Sequence, residues 1–411
     1  MIDNQGIYSI FSQDHRSGVA YKNKSQKRSI ILQLDASETA TVMDISRELN
    51  ISVPKAASLV SELVQENLIR DYGKIDSTGG RKANVYGLVD EACFFIGVDV
   101  KKFHVNIGLL DFKKNLRTVH EHVPYRLENT PESLQALTMI IRDFIAGFPE
   151  LQEKILGVGI NLSGRINHVT GYSYSFFHFQ EEPLSRTIQQ EIGIPVFIEN
   201  DSRAMAYGEF MNGVVSQEKN VLFINADFGL GMGILIDGAI YYGKSGFSGE
   251  LGHIPFFQNE RICHCGKKGC LETETSGLAL LQAVREKIRQ GSNSILSLKY
   301  KDLAMLRLED VVEAAQSEDS LVLELLSELG EKLGKAIAIL INIFNPELVI
   351  LGGKVSESGE SLRLPVRSAL NKYTLGLVNN DTQLKMSKLG ERAGVMGGSL
   401  IARRKILSST T

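Results

Sequence analysis

The stretch Val221–His253, VLFINADFGLGMGILIDGAIYYGKSGFSGELGH, followed by Cys263–Glu272, CHCGKKGCLE, decides how the chain reads. Val221–Ala226, Gly231–Ile236 and Ala239–Tyr242 are short runs rich in β-branched and aromatic residues, parted by Asp and Gly, and predict three successive strands. From His253 to Cys270 the spacing is H-x9-C-x-C-x4-C. Three thiolates and one imidazole complete a tetrahedral Zn²⁺ shell, the composition of a closed structural site. Gly266 and Gly269 permit the tight turns that aim sulfur inward, and Lys267 and Lys268 offset the excess negative charge of such a centre. His253, Cys263, Cys265 and Cys270 are therefore the expected zinc ligands. The absence of a C-x-x-C pair speaks against a redox dithiol, and Cys93, alone in an apolar run, reads as a small buried hydrophobe.

The same order of elements occurs earlier in the chain. Phe94–Val100, Val105–Leu110 and Leu116–Val123 predict a meander, followed by a helix over Pro131–Phe148 and a strand over Ile155–Leu162. After the zinc loop come a long helix near Leu321–Phe344 and the strand Leu348–Leu351. Two similar α/β halves are implied, alike in element order and without a residue-level repeat.

Ahead of them, Ile30, Ile31 and Leu34, then Val42, Ile45 and Leu49, then Leu59, Val60, Leu63 and Val64 fall on successive helical faces. Between the second and third sets, Asn50 suits a left-handed turn, Ser52 an N-cap and Pro54 a first helical turn. These are helix-turn-helix boundaries. Leu68–Tyr72 and Ala83–Leu88 flank a basic, glycine-containing tip ending in Gly79-Gly80-Arg81-Lys82, which suits a wing. The third helix would turn Ser52, Lys55 and Ser58 toward a major groove while Arg81 and Lys82 reach phosphates or a minor groove. Arg16, Lys22, Lys24, Lys27 and Arg28 form an acid-free N-terminal arm that could add phosphate contacts.

With 411 residues the chain should form two to three domains at roughly 150 residues each. Its 43% hydrophobic and 23% charged residues place it among ordinary globular proteins. Apolar runs are all broken before the roughly 20 residues of a bilayer span, and no signal-like leader begins the chain, so a cytoplasmic protein with no membrane partner is expected. The net charge of −3, from 45 basic and 48 acidic residues, excludes a chain that coats nucleic acid by bulk charge but leaves room for a local basic patch.

On these residues the chain resembles the ROK family of repressors, open reading frames and sugar kinases. The resemblance runs from about Phe94 to the C-terminus. Besides the two stretches quoted, it takes in Gly157-Val158-Gly159-Ile160 to Gly164, Glu199-Asn200-Asp201-Ser202-Arg203-Ala204 and Val349-Ile350-Leu351-Gly352-Gly353. It implies an α/β fold of two actin-like (ribonuclease H-like) lobes with a sugar between them, preceded by the winged helix-turn-helix. The expected organisation is a DNA-binding domain over 1–88, a first lobe over 89–200 completed by a C-terminal helix over 391–411, and a second lobe over 201–390 with the zinc loop. Gly79-Gly80-Arg81-Lys82 also resembles the wing tip of the family's repressors.

Carried over position by position, Asn200, Asp201, Glu250, His253 and Glu272 match residues that bind sugar hydroxyls in the family, and Ser163 and Gly164 match a turn beside that pocket. Carboxylates flanked by Asn and His suit vicinal hydroxyls, each of which donates and accepts. Two departures stand out against the kinases. Asp99-Val100-Lys101-Lys102-Phe103 lacks the glycines of their first phosphate loop, and Asp227-Phe228-Gly229 replaces Gly-Thr-Gly in the second. Aspartate beside a triphosphate brings like-charge repulsion, and Phe228 fills space a small hydroxyl residue would use. Asp201, the general base of a kinase, would then serve only as a hydrogen-bond acceptor. Tyr172–Gln180, with Ser175 and His178, departs from the kinase pattern beside the pocket.

The expectation is a non-enzymatic, sugar-responsive transcriptional repressor. It would act as a homodimer or homotetramer on a double-stranded DNA operator and respond to a sugar or sugar phosphate. The alternatives are an ATP-dependent sugar kinase with an accessory N-terminal domain, and a regulator that senses a protein partner instead of a sugar.

Overall fold

A computed structural model describes residues 10–11, 19–75, 83–179 and 181–408. The wing tip with Arg81 and Lys82, Arg16 of the basic arm, and Gln180 lie outside these residues.

The N-terminal unit comprises α1 (Val19–Ser37), β1 (Thr39–Thr41), α2 (Val42–Glu48), α3 (Val53–Gln65), β2 (Ile69–Ile75) and β3 (Ala83–Leu88), with an antiparallel sheet ordered β1-β3-β2. Local chemistry sets its boundaries. Thr41 and Asp44 form a reciprocal capping box at α2, Asn50 takes a φ of 50° in the turn, and the Ser52 hydroxyl accepts from the Lys55 amide at 3.4 Å to start α3. Strand β1 has no apolar alternation to announce it, and it exists by pairing with β3. Ile31, Leu34, Ile45, Leu59 and Leu63 close the core between the helices.

The first lobe holds β4 (Phe94–Val100), β5 (His104–Asp111), β6 (Leu116–Pro124), α4 (Pro131–Ala146), β7 (Ile155–Leu162), the hairpin β8 (Ile166–Asn167) and β9 (Tyr172–Ser173), α5 (Leu184–Ile192), β10 (Val196–Asn200) and α6 (Asp201–Asn212). Its sheet is ordered β10-β7-β4-β5-β6, with β4, β5 and β6 antiparallel and β4, β7 and β10 parallel.

The second lobe repeats that plan with β11 (Val221–Ala226), β12 (Leu230–Ile236) and β13 (Ala239–Ile240). Next come α7 (Glu272–Thr275), α8 (Gly277–Arg289), α9 (Ile295–Lys299), α10 (Leu308–Gln316), α11 (Ser320–Phe344), β14 (Leu348–Gly352), α12 (Glu360–Tyr373), α13 (Gly376–Asp381) and β15 (Gln383–Met386). Its order, β13-β12-β11-β14-β15, is the same meander followed by two parallel strands. The repeated topology is the two-lobed, actin-like arrangement of mixed α/β sheets. Central strands β4, β7, β11 and β14 are buried along their whole length, which is why their sequences run apolar on both faces.

The last helix, α14 (Arg392–Ser408), leaves the second lobe and packs across β4 and β7 of the first and along α6. The approach is backbone to backbone: a Cβ on Gly397 would lie 1.8 Å from the Ala204 carbonyl oxygen, and one on Gly159 would lie 2.0 Å from that of Gly398. Among the described residues, no helix is long and apolar enough to cross a membrane.

Candidate functional site

Carboxyl ends of the parallel strands meet an open cleft between the lobes, where α/β sheets usually take their ligands. Its volume of 3080 Å³ far exceeds a single sugar, so only part of it would be filled by one ring. Ser163, Gly164, Asn200, Asp201, Glu250, His253 and Glu272 all line it, and all seven are half-buried.

Asn200 ends β10 and caps α6. Its Oδ1 accepts from the Arg203 amide at 3.1 Å, and its Nδ2 donates to the Gly164 carbonyl at 3.0 Å. The cap is therefore Asn200, and Asp201, the first helical residue, keeps its carboxylate for the cleft edge, where Oδ1 accepts from the Ser202 amide at 2.7 Å. Gly164 has a φ of 89°, and a Cβ there would meet Ser175 Oγ at 2.3 Å, so the turn under the pocket needs glycine. Ser175 Oγ in turn accepts from the Arg165 amide at 3.0 Å.

Glu250 stands at the start of the single turn Leu251–His253 and makes no capping bond. Burial raises its carboxyl pKa, and Asp201 adds to the rise against the pull of His253, Arg203 and Arg165. Its Oε2 lies 3.9 Å from His253 Nε2. The other nitrogen of that ring, Nδ1, lies 3.6 Å from Cys263 Sγ. One imidazole thus faces the Glu250 carboxylate on one side and the thiol of Cys263 on the other.

Cys265 and Cys270 Sγ are 3.7 Å apart, and one donor atom from each of His253, Cys263, Cys265 and Cys270 falls within 4.8 Å of every other. Tetrahedral zinc, with bonds of about 2.3 Å to sulfur and 2.0–2.1 Å to nitrogen, needs donors roughly 3.5–3.8 Å apart. The four residues fit a metal ion. Bridges Pro255↔Cys270 and Ile262↔Lys268 knit the loop that presents them. Sequence reasoning missed His264, whose Nδ1 lies 2.8 Å from Glu272 Oε1. The signal was its place between two of the clustered cysteines, Cys263 and Cys265. Glu272 also accepts from Cys263 Sγ at 3.2 Å and from the Leu230 amide at 3.3 Å, so it joins the metal loop to the cleft wall.

At the far end of the cleft, Lys101 Nζ sits 3.3 Å from Asp99 Oδ2 and 3.1 Å from Asp227 Oδ2, bridging the lobes. Asp99 is fully buried and its pKa rises to about 6, chiefly through burial. Burial acts in the same sense on Asp227, but Lys101 and the Phe228 amide outweigh it and hold the pKa below the usual carboxylate range. Phe228 meets Phe103 edge-on at 5.9 Å, and Lys102 Nζ lies 4.1 Å from the centre of the Phe228 ring. Lys101, Lys102 and Phe103 of one loop and Asp227 and Phe228 of the other thus line the cleft where the chain departs from the kinase pattern. The Gly352-Gly353 turn is a structural necessity, since a Cβ on Gly353 would strike Asn225 and Ala226.

In the N-terminal unit, Ser52, the cap of α3, and Ser58 on the helix are exposed, whereas Lys55 is half-buried with Nζ 2.7 Å from Asn23 Oδ1 of α1. His178 lines the outer cleft and pairs with Asn129, the His178 amide donating at 3.3 Å.

Comparison with known proteins places the chain in context. The ROK family model matches residues 95–405. The xylose repressor of Caldicellulosiruptor bescii is 29% identical over 356 residues, covering 86% of this chain and 89% of that protein. The DNA-binding transcriptional dual regulator NagC of Escherichia coli is 28% identical over 366 residues, 88% of each chain. Among solved structures, a ROK family transcriptional regulator described as a homologue of the E. coli MLC protein superposes with a TM-score of 0.77 at 25% identity, covering 94% of this chain and 97% of that one.

Proposed function

The chain belongs to the ROK family, and from that premise we propose that it is a sugar-responsive, DNA-binding transcriptional repressor. The observation that carries this reading is the Lys101 bridge. A helix-turn-helix and the expected sugar-binding residues share one chain with a cleft whose other end is lined by Lys101, Asp227 and Phe228, with Lys101 held between Asp99 and Asp227. An incoming nucleotide would have to displace a paired lysine and approach two carboxylates, a like-charge penalty. The sugar-binding set is Ser163, Gly164, Asn200, Asp201, Glu250, His253 and Glu272, with no catalytic residue. Relatives named for xylose and N-acetylglucosamine point to a sugar or sugar phosphate as effector.

Zn²⁺ at His253, Cys263, Cys265 and Cys270 would be structural: bound, it ties the loop and fixes the ring of His253, whose Nε2 then stays directed at Glu250. Ser52, Lys55 and Ser58 on α3, with Arg81 and Lys82 of the wing, form the DNA-binding set. A homodimer or homotetramer in the cytoplasm would set two recognition helices on a pseudo-palindromic operator. The sugar shifts operator affinity by favouring one lobe arrangement over another.

The test is a gel-shift of the DNA upstream of the chain's own gene, at low salt, with and without xylose, N-acetylglucosamine and its 6-phosphate. A shift relieved or strengthened by one of them is expected; no shift under any condition overturns the reading. A coupled ADP-release assay over the same sugars addresses the kinase alternative, and turnover abolished by Asp201→Asn would establish it.

A further inference from the structure

We propose that Arg403 and Asp35 are positioning residues that carry sugar occupancy from the cleft to the helix-turn-helix, with α14 as the connecting rod. This rests on the repressor reading above and names the route of its regulation.

Helix α6 begins at the sugar-binding pair Asn200 and Asp201 and lies in backbone contact with α14 through Ala204 and Gly397. At that crossing backbone meets backbone, with no side chain to absorb a displacement, so movement at the start of α6 is passed to α14 as a rigid shift. The cleft end of α14 is anchored as well. Gly394 accepts at its carbonyl from Asn161 Nδ2 at 2.6 Å and abuts the carboxylate of Asp99, while Glu391, just ahead of the helix, lines the cleft and pairs with Lys354 at 3.3 Å.

From Gly394 to Arg403 the helix rises about 14 Å. There the Arg403 guanidinium makes a two-pronged pair with Asp35, Nη1 to Oδ2 at 2.9 Å and Nη2 to Oδ1 at 2.7 Å. Its Nε and Nη2 also donate to the Phe112 carbonyl at 3.2 and 3.0 Å. The Arg403 side chain is only 5% exposed and that of Asp35 19%. Asp35 lies in the last turns of α1, the helix against which the recognition helix α3 packs, and Lys114 Nζ of the β5–β6 turn reaches it at 2.9 Å. Apolar contact is continuous across the same joint, with Ile31, Leu34, Leu88, Cys93, Phe112, Leu400, Ile401 and Leu407 in one cluster. The N-terminal unit is thus seated on the lobe, and a planar, bidentate ion pair at that seat fixes angle as well as distance.

Asp35→Ala and Arg403→Ala test the assignment. Neither residue touches the cleft or the exposed face of α3, so sugar affinity by calorimetry and sugar-free operator affinity should stay within about 3-fold of the parent. What should collapse is the ratio of operator affinities with and without sugar, from a coupling on the order of 5- to 150-fold to within about 2-fold. Variants that bind both partners and keep the parent's ratio overturn the proposal. A parent protein that binds no operator contradicts the repressor reading instead. In that event hydrogen exchange of the unmodified protein still decides the route, using xylose, N-acetylglucosamine or its 6-phosphate, whichever raises the melting temperature. Altered protection at 34–37 and 112–115 supports the route, whereas changes confined to the cleft overturn it.

Discussion

Glu218 illustrates how much one side chain contributes. Burial pushes its carboxyl pKa up, but the Lys385 ammonium at 2.8 Å and the amides of Ser216 and Gln217 outweigh that and hold it down at about 2. A folded pKa below the unfolded value of about 4.3 means stability that is fully present above that value and lost as pH falls toward 2. Glu218→Gln is expected to cost roughly 1–3 kcal/mol at pH 7, and denaturant melts of parent and variant should converge as pH falls below 4. At the proposed sugar-binding edge, Asp201→Asn and Glu250→Gln would each remove a charged acceptor worth about 1.5–3 kcal/mol. Sugar affinity by calorimetry should fall about 10- to 150-fold with the melting temperature of the free protein little changed. For the thiol cluster, Cys270→Ser should lower stability by roughly 3 kcal/mol or more. Elemental analysis of protein purified without chelator should find about one zinc per chain in the parent and much less in the variant.

At the scale of elements, α14 against α6 is the tightest junction. A methyl at Gly397 would sit 1.8 Å from the Ala204 carbonyl, so Gly397→Ala must push the helices apart. A loss of about 1–3 kcal/mol or more is expected, read as a lower unfolding midpoint. Much of this architecture was legible in the sequence, because its signals are local. The central strands announce themselves as β-branched runs, and the start of α3 follows from Asn50, Ser52 and Pro54 acting on their immediate neighbours. The Cys/His cluster is equally plain, since its four residues lie within one short segment. What stayed hidden depends on distant partners. Nothing near Thr39–Thr41 reveals that β3 will pair with it, and nothing near Lys101 announces Asp227. Asp35 and Arg403, almost a chain length apart, meet only once both the N-terminal unit and the last helix are docked. The carboxylates of the cleft were found by resemblance. Local chemistry allows either Asn200 or Asp201 to cap α6, and Asn200 does so.

Across the whole molecule, charge is distributed unevenly, and DNA binding should reflect it. If the wing supplies phosphate contacts, Arg81→Ala together with Lys82→Ala should weaken operator binding nearly equally for all sequences. It should also lower the slope of log affinity against log salt by about 2, measured by fluorescence anisotropy between 50 and 200 mM salt. The Lys101 bridge between the lobes has a different kind of consequence, for the paths open to this lineage. Exchanging Lys101 first would leave the buried Asp99 and its neighbour Asp227 facing each other unneutralised, a change of roughly 3–5 kcal/mol against a typical total stability of 5–15 kcal/mol. Exchanging Asp227 first leaves Lys101 still matched by Asp99. A mutational route toward nucleotide binding is therefore ordered, with the aspartate going before the lysine, and Lys101→Ala should unfold at a clearly lower denaturant midpoint than Asp227→Ala.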